Sequence, residues 1–129
     1  MTIFGEKYGG EYAGGKYQRI SQEIIDKSKG RIQHPSITLM EYYTARKNKK
    51  KFIVFMMKSI EVYHDSEEYQ KRKGLSWTEK SDMDKMAITL DFINHVSVDD
   101  SDDLPHGNAI VFINSSSEIE EVISNHSFT

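Results

Sequence analysis

The amino-acid sequence predicts an α+β domain, a mostly antiparallel four- to five-stranded sheet with helices packed on it. Three observations lead there. β-Branched and aromatic residues concentrate in Ile37 to Ala45 and in Phe52 to Tyr63, and the polar, basic run Arg46 to Lys51 joins them, which reads as a long hairpin. Phe52 to Met57 is apolar at every position, as a strand covered on both faces requires. Helical spacings lie before, between and after these segments without a strict strand–helix alternation, which is the pattern of an α+β fold.

Taken in order, residues 1–15 hold an imperfect repeat, Lys7-Tyr8-Gly9-Gly10 and then Tyr12-Ala13-Gly14-Gly15. Paired glycines carry a high backbone entropy, so this Gly/Tyr-rich segment is expected to be a flexible arm or an irregular edge strand. Residues 16–129 are then a single domain. Neither glycine pair has the Gly-Lys-Ser/Thr ending of a phosphate-binding loop. Tyr17, Ile20, Ile24 and Ile25 share one face of a 3.6-residue period, and Gly30 offers a C-cap behind Lys27 and Lys29, so a helix is expected there. His34-Pro35 breaks the chain before the hairpin. In its second arm Ile60 and Val62 alternate with Ser59 and Glu61, extending the strand to Tyr63.

Asp65 or Ser66 caps a short helix that Gly74 ends, and Ser76 with Glu79 has the spacing of a second capped helix starting at Trp77. Met83, Met86, Ala87, Leu90 and Ile93 suit a helix, yet from Met86 to Val98 apolar residues fall mainly on even positions. Period two fits better, and a strand is expected. Ala109 to Ile113 forms another strand. Ser115 to Ser117 then precede Glu118, Glu120 and Glu121, with Ile119, Val122 and Ile123 as the stripe of a last helix.

The 129 residues bound the function. A chain of this length is one domain of common size. It has no cysteine, which excludes disulfide scaffolds, zinc–thiolate sites and thiol catalysis. Its longest apolar run is Phe52 to Met57, and its first fifteen residues do not resemble a secretory signal, so a cytoplasmic protein outside the membrane is expected. The net charge of −3 conceals a strong asymmetry. Residues 1–30 carry five Lys/Arg against four Asp/Glu, residues 31–74 ten against five, and residues 75–129 two against eleven. A basic middle and an acidic end can steer a charged partner, and attraction between opposite ends of two copies would give a homo-oligomer.

Three groups of residues are candidates for function. The basic run Arg46, Lys47, Lys49, Lys50 and Lys51, at the hairpin tip, would form a finger able to reach phosphates, and Lys71, Arg72 and Lys73 form a second cluster. Tyr42 and Tyr43, with Tyr8 and Tyr12, would add faces on which single-stranded bases stack. A pI of 5.9 counts against a dedicated nucleic-acid binder. The acidic run Asp99, Asp100, Asp102 and Asp103 is a second partner surface. It lacks the glycine and glutamate positions of an EF-hand, and neither it nor the pair Asp82 and Asp84 is expected to bind metal. No two of the five histidines stand in ligand spacing. His64 and His95 would meet only if their strands paired, with Asp65 or Asp91 as orienting carboxylate, and could then serve acid–base cleavage of RNA.

The sequence therefore points to a small, cytosolic, non-enzymatic interaction or regulatory protein. It would need no cofactor and would bind a macromolecular partner through charged surface loops. The alternative is nucleic-acid binding through the tip at residues 46–51.

Overall fold

A computed structural model of the chain describes residues 2–10, 17–48, 53–96 and 110–124. Within them the chain runs β1 (Thr2–Phe4), α1 (Gln18–Lys27), α2 (Ile37–Lys47), β2 (Val54–Met57), α3 (Lys58–His64), α4 (Glu67–Arg72), a 3-10 turn at Trp77–Glu79, α5 (Asp82–His95), β3 (Ile110–Ile113) and α6 (Glu118–Ser124). The fold is α+β, but the sheet is small and parallel. It has three strands in the order β1-β2-β3 and both pairings are parallel, which replaces the antiparallel four- to five-stranded sheet expected from sequence. Helices fill both connections, α1 and α2 between β1 and β2, and α3 to α5 between β2 and β3. Such crossovers return the chain in the same direction, which a hairpin cannot do.

The apolar segment at Val54 to Met57 does run through the centre of the sheet. Register places Ile3 opposite Phe55, and Phe55 opposite Val111. Phe4, Val54 and Met56 therefore face one side, where they pack with Leu39, Tyr42, Ile60 and Phe92 from the crossover helices. Phe55 and Ile113 face the other side, covered by Ile119 with Val122 and Ile123 of α6. Burying Val54, Phe55 and Met56 completely contributes about 5–9 kcal/mol of gross hydrophobic stabilisation before conformational entropy is subtracted.

The expected hairpin over residues 37–63 is not formed, for two local reasons. Ser36 is an N-cap whose Oγ accepts from the Leu39 amide at 3.1 Å, and Leu39, Met40, Tyr43 and Arg46 are buried at helical spacing, so the first arm is α2. In the second arm the strand stops at Met57 and α3 begins at once. Ile60 turns inward and Val62 outward at 63% exposure, an arrangement that alternation along a strand also satisfies on paper.

Of the strand expected over residues 86–98, residues 86–95 are helix α5, and 97–98 lie outside the described residues. Ser81 and Asp84 form a reciprocal capping box at the start of α5, and eight of its residues, from Asp84 to Ile93, are buried. A helix enclosed on most of its circumference has no polar face, so its apolar period is lost. The remaining helices follow their sequence signals. Gly30 has φ +79°, a conformation that suits glycine, and its amide bonds to the Ile25 carbonyl at 3.0 Å to close α1. Ser66 Oγ accepts from the Tyr69 amide at the start of α4.

Of the N-terminal segment, Thr2–Phe4 is the edge strand β1, and Tyr8 is buried with its hydroxyl donating to the His34 carbonyl at 2.8 Å. Among the described residues no helix is long and apolar enough to cross a membrane.

Candidate binding groove

Of the cations singled out from sequence, Arg46, Lys47, Lys71, Arg72 and Lys73 lie among the described residues. Arg46 lies on the inner side of α2 and is only 6% exposed. Lys47 bonds Glu23 at 2.9 Å, beside the Tyr43 hydroxyl that donates to the same carboxylate at 2.9 Å. The Lys47 bond holds the Glu23 carboxyl below its ordinary pKa. Lys49, Lys50 and Lys51 lie outside the described residues, as do Asp99, Asp100, Asp102 and Asp103. Tyr42 and Tyr43 are core residues, so their rings offer no face to a base. Lys71 is exposed, and Lys73 sits 5.2 Å from the centre of the Tyr69 ring.

Arg72 serves a buried carboxylate. Its Nε donates to Asp84 at 2.8 Å, and Asp84 also accepts from the Tyr63 hydroxyl at 2.5 Å and the Ser81 amide at 2.9 Å. Burial opposes the charge on Asp84, but these three donors outweigh it and lower its pKa. Burial and the Asp84 charge push the Tyr63 phenol up to about 12. This cluster ties α3, α4 and the start of α5 together. Asp82, its neighbour in sequence, is exposed on the first turn of α5.

A second ionic cluster lies further along α5. His64, at the end of α3, donates from Nε2 to Asp91 at 2.6 Å and from Nδ1 to Asp65 at 2.9 Å. Burial disfavours its charge, yet the two carboxylates outweigh that and raise its pKa above the ordinary 6.5. Asp91 also accepts from Arg31 at 3.1 Å, and despite its burial the His64 and Arg31 bonds lower its pKa. Both ring nitrogens lie against carboxylates, an arrangement that favours the protonated ring. His64 and His95 stand on α3 and α5, and His64 is bonded to Asp91, one helical turn before His95. Among the described residues no group of three or more potential metal ligands comes together.

Arg31 introduces the feature that local sequence reading misses. The Arg31–Asp91 pair stands between two adjoining concavities of about 430 and 330 Å³, which share Arg31, Ile88 and Asp91. Lys27, Lys29 and His95 line the first, with Phe92 and Val96. Lys73 and Lys80 line the second, with Leu75 and Trp77. Together they form a groove along α5 with five Lys/Arg residues on its walls. Asp91 is the one lining carboxylate among the described residues, and it is already paired with two cations. Of the basic runs singled out from sequence, only Lys71 to Lys73 contributes to this groove, through Lys73; the other cations come from two further stretches. The closest signal is the triplet Lys27, Lys29 and Arg31 around the Gly30 turn.

Lys29 holds φ +56°, a left-handed conformation that costs a non-glycine residue about 1 kcal/mol. That conformation places its side chain on the groove wall.

In comparisons with known proteins, the chain matches no family model, no curated protein and no solved structure.

Proposed function

We propose that this chain is a non-enzymatic binding protein that holds an acidic macromolecular partner in the groove along α5. The observation that carries the reading is the charge on that groove, where Lys27, Lys29, Arg31, Lys73 and Lys80 face a single carboxylate already neutralised by Arg31 and His64. Cations gathered in a concavity raise the local potential and steer an anionic partner, even on a chain of net negative charge. The left-handed Lys29 supports the reading, since a lysine in a conformation that suits glycine keeps a cation on the groove wall. The lack of cysteine fits work in a reducing compartment such as the cytoplasm.

The test is retention on immobilised poly-glutamate and on heparin, eluted with salt. Lys73→Glu should lower the eluting salt on whichever polyanion is held. Arg19→Glu, on the largely exposed first turn of α1 and away from the groove, should leave it unchanged. Equal shifts from both variants would assign retention to overall charge and end the proposal.

A further inference from the structure

We infer that the groove's partner is an acidic peptide segment carrying apolar side chains, not a nucleic acid. The inference rests on the binding role proposed above and specifies the partner's chemistry. The groove floor is not ionic. Ile88, Phe92 and Val96 lie beneath one lobe, and Ile88, Leu75 and Trp77 beneath the other. A phosphate backbone would satisfy the cationic rim and leave that floor wet. A peptide with carboxylates and leucine- or phenylalanine-like side chains satisfies both.

The aromatic rings of the groove point the same way. Single strands are held largely by stacking of bases on free aromatic faces. Here the Tyr69 ring packs between Tyr63, His64 and Lys73, with centroid distances of 5.7, 5.5 and 5.2 Å. Trp77 packs edge-on to Tyr8 at 5.4 Å with Lys85 over it at 4.8 Å. Phe92 is buried against Tyr43. These rings contribute edges to the floor and no face to a base. Arg31 is half exposed at the junction of the two lobes, where it can take a ligand carboxylate while holding Asp91.

The experiment measures binding of the full chain to four fluorescent probes at low salt. They are a short peptide alternating glutamate with leucine, the same peptide with each leucine replaced by glutamine, a duplex DNA and a single-stranded DNA of matched charge. The leucine peptide is expected to bind at least about tenfold more tightly than the glutamine peptide, the gain from burying one or two leucines. Leu75→Ser with Val96→Ser should remove that advantage, with the fold checked by circular dichroism, since both residues are only partly buried. Arg31→Glu should weaken both peptides. Equal affinity for the two peptides overturns the inference, as does tighter Arg31-dependent binding of either DNA, and both outcomes leave the basic groove standing as a binding site. Loss of Arg31 dependence for every probe overturns the groove reading itself.

Discussion

Replacing Asp91 with asparagine should make the protein less stable and its groove a better binder. The two effects have different physical origins. Asp91 accepts a charge-assisted bond from His64 at 2.6 Å in a largely buried setting and a second from Arg31 at 3.1 Å. A bond to a charged group in such a setting contributes about 1.5–3 kcal/mol. The Arg31 pair is half exposed, at 50% for the arginine side chain, and contributes about 0.2–1 kcal/mol. Asparagine keeps one acceptor, so the net loss is about 2 kcal/mol, a fall in Tm of about 6–10 °C for a domain of this size.

Binding moves the other way. Removing one negative charge about 8 Å from a ligand carboxylate, with an effective dielectric between about 20 and 80, favours the complex by about 0.5–2 kcal/mol, or about two- to thirtyfold. The assay pairs urea denaturation with anisotropy of the leucine-containing acidic peptide. Binding is measured at about 0.05 M salt and again at about 1 M, where screening over about 3 Å should erase the gain. A folded Asp91→Asn protein that binds this peptide no better than wild type at low salt would refute the reasoning. Positioning of Arg31 by Asp91 would then outweigh the removed charge.

Lys29→Gly should show the opposite pair of signs, with stability rising by about 0.5–1 kcal/mol as the left-handed strain is relieved and peptide affinity falling with the lost cation. Unchanged stability by urea midpoint would show that the turn carries no strain. Asp84→Ala leaves the Tyr63 hydroxyl, the Ser81 amide and Arg72 without their acceptor and should cost about 3–5 kcal/mol. The exposed Asp82→Ala should stay within about 0.5 kcal/mol of wild type by the same assay. Stability should also depend on pH in two limbs. The raised pKa of His64 means its contribution is fully present below pH 6.5 and is lost as pH rises through the higher folded value. The lowered values of Asp84 and Asp91 mean theirs is present above pH 3.8 and is lost as pH falls through the folded values. Urea midpoints across pH should peak between these limits, and His64→Gln should flatten the alkaline limb; a wild type with no alkaline fall would contradict the His64 geometry.

Much of the secondary structure was legible where a single local signal governs it. Gly30 ends α1, Ser66 starts α4, and Ile110–Ile113 and Glu118–Ser124 form the last strand and helix from short, unambiguous patterns. The errors fall where composition and period disagree. Thr38, Tyr42, Tyr43 and Thr44 have strand propensity, yet Ser36 and the spacing of Leu39, Met40, Tyr43 and Arg46 place them in α2. Residues 86–95 were ambiguous because α5 is buried nearly all round, and the Ser81–Asp84 box at its start was the more informative signal. Once α2 and α5 are helices, both crossovers are helical and the parallel sheet follows.

The site was hidden for a different reason, which bears on how charge density should be read. Linear density drew attention to residues 46–51, but the helix that carries Arg46 and Lys47 turns one inward and pairs the other with Glu23. A run of cations on a helix is spread around its circumference, about 100° per residue, so density in sequence becomes dispersion in space. The groove does the reverse. Lys27, Lys29 and Arg31 leave the end of α1 and its turn, Lys73 ends the basic run after α4, and Lys80 stands alone after the 3-10 turn. Packing of these segments along α5 gathers them on one concavity whose floor is apolar. That convergence is a property of the fold. Asp91→Asn and Lys29→Gly, from distant segments, should move binding of the acidic peptide in opposite directions, while Arg19→Glu, outside the groove, should leave it unchanged.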